Sequence, residues 1–302
     1  MIHQQTLTQL ASIPSPSSGT VSIGPIELNA YGIMIALGVI AGMWLLGRQL
    51  EESHLGTRDD ASAIGVWGVV GGVIGARIYH VVTDWSRFSD DLGSIPKIWQ
   101  GGLGIPGGLL VGIVVGAWQA NRRGVRPAVA LTFGVPAIAL AQSIGRWGNW
   151  FNQELYGKPT GLPWALEIDD AKGYPGGTTF HPTFLYESLW TLALCGVLLL
   201  VQRRFQLAAG RLLGVYLIGY GTGRFWIEGL RIDPAHSGGG LRLNQWVALG
   251  AVAFGMIYLF ATRGQKWSEA RTDGGADSDL LPELSGDPAH CDAAAPPARG
   301  RA

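Results

Sequence analysis

LNAYGIMIALGVIAGMWLLG, residues 28–47, runs for twenty positions without a single charge. As a helix it is about 30 Å long, the thickness of a bilayer's hydrocarbon core. A surface helix of that length in a soluble domain keeps a charged face toward water. This one has none, so the stretch predicts a membrane span.

Six more runs of the same kind follow. They are Ala61 to Val82, with Arg77 and His80 near its end; Ile98 to Ala120, with a Gly-rich start that reads as a loop entering the membrane; and Pro127 to Gly145. Then come Pro182 to Gln202, with Glu187 near its entry; Leu212 to Leu230, carrying Arg224 and Glu228; and Leu243 to Thr262. The expected fold is an all-α integral membrane protein of about seven helices. Composition agrees: 47% of the 302 residues are hydrophobic and 15% charged, against roughly a quarter charged in soluble domains. Glycines such as Gly68, Gly71, Gly72 and Gly75 read as close helix packing.

Formal net charge is zero, which removes any global attraction to nucleic acid. The information lies in where the charges fall. One set of alternate loops holds Arg48, Arg58, Arg122, Arg123, Arg126, Arg203, Arg204, Arg211, Arg263 and Lys266. The other set holds Arg87, Lys97, Lys158, Lys172, Arg231 and Arg242, over longer loops. Ten against six places the N-terminus outside and the C-terminus in the cytoplasm. Residues 1–26 form a polar outer segment, 27–263 the membrane domain, and 264–302 a Pro/Ala/Gly/Asp-rich tail expected to be disordered. The loop 147–181 is expected to be a small extracytoplasmic cap. Cys195 lies in an apolar run and Cys291 in the tail, so a disulfide between them is not expected. No spacing suits a metal, and no basic stretch precedes an apolar one as in a cleavable leader.

Ionisable groups at membrane depth are costly and mark function. The densest group is Gly145-Arg146-Trp147-Gly148-Asn149-Trp150-Phe151-Asn152-Gln153-Glu154-Leu155-Tyr156-Gly157. An interfacial belt accounts for the Trp residues and a snorkelling Arg. It does not account for Asn149, Asn152 and Glu154 together. In the sixth run Tyr220, Arg224 and Glu228 recur every fourth residue and share a face, with Arg231 within a turn of Glu228. His181 and Glu187 at the fifth run's entry are either a base and its partner or a Pro-led helix start. Tyr31, Arg77 and the turn holding Gly107 and Gly108 are further points of interest. All of these fall on the outward side. Two arginines at headgroup depth suit a phosphate, because a guanidinium donates in a planar fork and keeps its charge.

The segment Gly145 to Gly157 resembles the signature of the prolipoprotein diacylglyceryl transferases, Gly-Arg-x-Gly-Asn-aromatic-x-Asn-x-Glu-x-x-Gly, at every fixed position. The resemblance extends to Tyr31-Gly32, Gly75-Ala76-Arg77, His181-Pro182-Thr183 with Tyr186-Glu187, and Arg224 through Arg231. It covers roughly residues 25–262.

The resemblance implies a transferase of the bacterial plasma membrane with its site toward the outer face. The family moves the diacylglyceryl group of phosphatidylglycerol onto the lipobox cysteine of a preprolipoprotein, and glycerol 1-phosphate leaves. By correspondence Arg146 and Arg224 polarise the phosphate, while Asn149, Asn152, Glu154 and Gly157 shape the headgroup pocket. Gly107, Gly108, Tyr220, Glu228, Arg231 and Arg77 complete the implied substrate site, with Glu228 holding an arginine. No cofactor or metal is implied. The chain departs from the family at one point: where a His often precedes Gly-Gly, Pro106 stands before Gly107 and Gly108. The base is then Tyr31 or His181, or the thiol ionises in the arginine field unaided. A transporter is the competing class. It predicts inverted repeats and midplane polar sites, and the sequence has neither.

Overall fold

The computed structural model describes residues 12–23, 26–89, 91–98, 101–102, 104–205, 207–234 and 237–265. The proposed tail lies outside these residues from 266 onward, as do residues 1–11. Seven helices of eighteen residues or more cover the seven expected runs. They are α1 (Ala30–Glu52), α2 (Arg58–Thr83), α4 (Ile105–Arg122), α5 (Pro127–Gly145), α7 (Thr183–Arg204), α8 (Leu212–Leu230) and α9 (Leu243–Ala261). Two short helices lie between them, α3 (Trp85–Phe88) and α6 (Trp147–Phe151). Three antiparallel pairs complete the fold: β1 (Thr20–Ile23) with β2 (Ile26–Asn29), β3 (Leu166–Glu167) with β4 (Thr179–Phe180), and β5 (Ser237–Gly238) with β6 (Leu241–Arg242).

By length and apolarity five segments qualify as spans: Ala30–Glu52, Arg58–Thr83, Pro127–Phe151, Thr183–Arg204 and Leu243–Ala261. The two long helices outside this set are α4 and α8. Helix α4 also starts later than the sequence suggests, at Ile105. Gly101 and Gly102 stand before it with φ of 82° and 77°, a left-handed backbone that glycine accepts without strain.

Local chemistry explains the helix starts. The Asn29 side chain accepts the Tyr31 N–H at 2.8 Å, capping α1. Thr57 and Asp60 form a reciprocal capping box at α2. Pro106 and Pro127 stand in the first turns of α4 and α5, where a missing N–H costs nothing.

The helices pack in two tiers. At one end a buried apolar core joins Leu45, Leu50, Ile64, Val129, Leu198 and Leu212. Along α2 and α4 the contact is backbone on backbone. A Cβ on Gly75 would meet the Gly107 carbonyl, and one on Gly107 would meet that of Gly75. Gly108 lies 3.1 Å, measured from its would-be Cβ, from the Gly72 carbonyl. Small residues replace bulk where helices must approach without hydrophobic drive. Outward faces are apolar instead: Ile40, Val82, Leu110, Ile257 and Phe260 are all exposed, the pattern of a surface that meets lipid. Cys195 is a free, buried thiol on α7.

Candidate active site

The end opposite the apolar core gathers the C-termini of α5 and α8 and the N-termini of α1, α7 and α9. Their charges meet there. Glu187, in the first turns of α7, pairs with Arg146 at the end of α5 through one oxygen and with Arg224 of α8 through the other. Arg224 also reaches one turn onward along α8 to Glu228 at 2.6 Å. Glu228 is wholly buried and also binds Arg242 at 2.8 Å and Asn244 at 3.1 Å, with Arg231 at 3.6 Å. Asp233 closes the chain, accepting from Arg231 at 2.7 Å and Arg242 at 3.0 Å. Four arginines thus meet three carboxylates directly.

Burial of unpaired charge would cost several kcal/mol per group, so each member holds the next in place. Arg146 is the most open of the four, with its side chain 25% exposed against 14% for Arg224. Tyr220 and Tyr31 lie close to the Arg146 guanidinium. Two narrow recesses flank Glu187. One is lined by Arg146, Asn149, Thr183, Phe184 and Arg231, the other by Tyr220, Arg224, Trp190 and Ile227. The first is too tight for a water and the second is about water-sized, so a ligand must part these side chains.

The signature segment wraps over Arg146. Asn149, 3% exposed, donates to Glu154 Oε1 at 2.8 Å, and its own oxygen faces Arg146 Nη1 at 3.5 Å. Asn152 faces the same Glu154 oxygen at 3.5 Å. Gln153 and Leu155, on either side of Glu154, have φ of 50° and 59°. Gly148 leaves room for the Tyr31 ring, which a Cβ would meet at 2.6 Å. Gly157 sits between the entry of α7 and the exit of α8. Its N–H donates to the His181 carbonyl at 2.9 Å, and a Cβ there would meet His181 at 2.8 Å.

His181 does not pair with Glu187. Its Nδ1 lies 3.1 Å from the Tyr186 hydroxyl, which accepts from Trp164 Nε1 at 3.0 Å. The Tyr186 hydroxyl thus joins Trp164 and His181 in one polar chain at the entry of α7. Burial, then the Lys158 charge, hold the His181 pKa below its ordinary value.

Arg77, Gly107 and Gly108 stand apart from the carboxylates. The Arg77 guanidinium donates to the carbonyls of Ile95 (2.7 Å), Gly101 (2.7 Å), Gly102 (3.0 Å), Ser94 (2.8 Å) and Lys97 (3.4 Å). It folds the loop between α2 and α4, while the two glycines face α2.

The prolipoprotein diacylglyceryl transferase family matches residues 18–261. The chain belongs to that family. It is 47% identical over 254 residues to the phosphatidylglycerol--prolipoprotein diacylglyceryl transferase of Streptomyces griseus, covering 83% of this chain and 77% of that one. It is 46% identical over 275 residues to transferase 1 of Streptomyces coelicolor (89% and 80%), and 40% identical over 278 to that of Paenarthrobacter aurescens (86% and 87%).

Family signature and charge cluster are therefore one site, and sequence reasoning missed part of it. Glu187 is the link between Arg146 and Arg224, a role its position near a Pro-led helix start concealed. Arg242 counted only as a loop charge, and Asp233 and Asn244 were not singled out at all. Their signal was weak: they follow or precede the Gly-rich turn at 238–240, whose closure as a hairpin brings Arg242 to Glu228.

Proposed function

We propose that this transferase moves the diacylglyceryl group of phosphatidylglycerol to the thiol of the lipobox cysteine of a preprolipoprotein, an early step in bacterial lipoprotein maturation. A carbon–sulfur bond forms at the glycerol carbon, its ester bond to phosphate breaks, and glycerol 1-phosphate departs with the electron pair. The observation that carries this reading is the Arg146–Glu187–Arg224 bridge in a member of this family. An incoming phosphodiester competes with Glu187 for guanidinium donors. The same donors meet the charge that grows on the leaving oxygen, in a site that excludes water.

Asn149, Asn152 and Glu154 shape the headgroup pocket around Arg146, and Glu228 fixes Arg224. Tyr220 and Tyr31 border the same guanidinium. The thiol needs little help to ionise, since its free pKa is about 8.5, and we favour ionisation in the arginine field over a dedicated base. The engagement of His181 supports this: its Nδ1 already bonds the Tyr186 hydroxyl, and it does not pair with Glu187.

We read all seven long helices as spans of a plasma-membrane protein. Helix α4 has eighteen residues, about 27 Å, and α8 has nineteen, lowered in apolarity by Arg224 and Glu228. The end with the apolar core carries Arg122, Arg123, Arg203 and Arg211, which supports a cytoplasmic position for it. The charge cluster and the 147–181 cap then face outward. Residues 1–26 stand outside with them, and the tail from 264 lies in the cytoplasm.

The test is transfer in vesicles of phosphatidylglycerol with a cysteine-containing lipobox peptide, reading the thioether product by mass. Folded protein that moves lipid or peptide without forming the bond overturns the reading. Arg146→Lys is expected to slow transfer about 100-fold, since a point charge cannot replace the fork.

A further inference from the structure

Glu154 sits in a strained turn. Among the described residues three non-glycines have a left-handed backbone, and two of them, Gln153 and Leu155, flank Glu154. A residue with a Cβ adopts that conformation only when its surroundings impose it. At Leu155 the carbonyl accepts the Thr183 hydroxyl. At Gln153 the whole side-chain amide is engaged. Its Nε2 donates to the Pro16 carbonyl at 2.9 Å and to Asp169 Oδ2 at 2.6 Å, and its Oε1 accepts the Asp169 N–H at 2.9 Å.

Pro16 belongs to an extended strap that crosses the signature segment. Ile13 forms a single parallel bridge to Leu166 of β3, donating to the Ala165 carbonyl at 2.8 Å and accepting from the Glu167 N–H at 2.9 Å. Trp150 Nε1 donates to the Pro14 carbonyl at 3.1 Å. The strap, Asp169 and Gln153 therefore form one clasp, built from three separate stretches of chain. Neither Gln153 nor Asp169 is among the partners described for Arg146. Yet the turn they hold presents Glu154 to Asn149, and Asn149 to Arg146.

We propose that Gln153 and Asp169, braced by residues 12–16, are positioning residues that hold Glu154 for the phospholipid headgroup. This rests on the transferase reading above. The clasp offsets the strain at Gln153, so that the carboxylate waits at its working height before any lipid arrives.

Three full-length variants test this: Gln153→Ala, Gln153→Gly and Asp169→Ala, with the Gln153→Ala/Asp169→Ala double. In the vesicle assay Gln153→Ala should raise KM for phosphatidylglycerol about tenfold, the effect of one lost hydrogen bond to a charged group. KM for the peptide should stay as in the wild type. Gln153→Gly should recover most of the loss, because glycine takes a φ of 50° without strain. The double variant should be no worse than either single one, as both remove the same support.

Amide hydrogen exchange at Glu154 and Leu155 gives a readout that needs no transfer, and Gln153→Ala should speed it about tenfold by the same estimate. Wild-type KM and exchange in Gln153→Ala would overturn the proposal. So would a glycine variant worse than alanine, which would mean that the contacts matter and the strain does not. Absence of transfer by the wild type itself counts against the transferase reading alone, and the exchange measurement then still decides the clasp.

Discussion

Arg146 and Arg224 are held by opposite oxygens of one carboxylate, that of Glu187. The two cations come from different helices and would repel each other without it. Replacing Glu187 by Gln keeps the shape and removes the charge, so both guanidinium groups lose their common anchor. Transfer should fall at least about tenfold, with a lower melting temperature in detergent. A folded Glu187→Gln protein with wild-type initial rate would show that the bridge is incidental.

Glu228 bears the heavier structural duty. It has no exposed surface and faces Arg224, Arg231 and Arg242. Glu228→Ala leaves one buried cation, Arg231, and two largely covered ones, Arg224 and Arg242, without their shared counter-charge. The expected loss is about 3–5 kcal/mol of stability, read as thermal unfolding in detergent. A variant as stable as the wild type would mean that water or Asp233 already neutralises the cluster.

Arg77 should behave differently from the other arginines. Its donors all serve backbone carbonyls of the loop between α2 and α4. Arg77→Ala should cost about 2–3 kcal/mol by stranding those acceptors, and open the segment 94–102 to protease. KM for phosphatidylglycerol in the folded fraction should not move. A selective rise in that KM, without new cleavage, would place Arg77 in the headgroup site.

Two groups outside the spans give the fold a directional response to acid. Burial, then Lys158, depress His181 below its ordinary 6.5. Burial works to raise Asp233, but hydrogen bonding and charge from Arg231, with Arg242, outweigh it and leave the carboxyl below its ordinary 3.8. Both are depressed, so the unfolded chain binds the extra proton and stability falls as pH falls. The His181 contribution is complete above 6.5 and fades as pH drops through its lower folded value. That of Asp233 is complete above 3.8 and fades below. Melting temperatures across this range should decline in two stages. His181→Gln should abolish the upper stage and Asp233→Asn the lower, and an upper stage that persists in His181→Gln assigns it to another group.

Most of the helices were legible because charge is costly in lipid and long runs with little or none stand out; α4 and α8 were the less apolar exceptions. The Arg224–Glu228 pair was legible for a second reason: four residues on a helix is one turn, whatever surrounds it. Glu187 was harder. It follows Tyr186 by about 100° around α7, enough that Tyr186 turns to His181 while Glu187 turns inward to the arginines. Only the rotation of the helix decides which of them His181 meets. Arg242 was hidden by topology, since ten residues of loop and hairpin separate it from Arg231 in sequence, yet both reach Glu228. The turn at Glu154 was hidden by backbone conformation, because neither Gln153 nor Leu155 advertises a left-handed φ.

The glycine seam between α2 and α4 has a consequence for how the protein is made. These two helices are joined by a loop that Arg77 ties shut from within, and they touch through backbone that needs no third element to complete it. Nothing in that contact draws on the arginine cluster. The pair is complete in sequence before α5 begins. The charge cluster, whose members come from α5, α7, α8 and the start of α9, is complete only once the last of these has been synthesised. Chain order thus runs from the glycine seam to the buried charges, whose last charged partner, Arg242, precedes only the final helix.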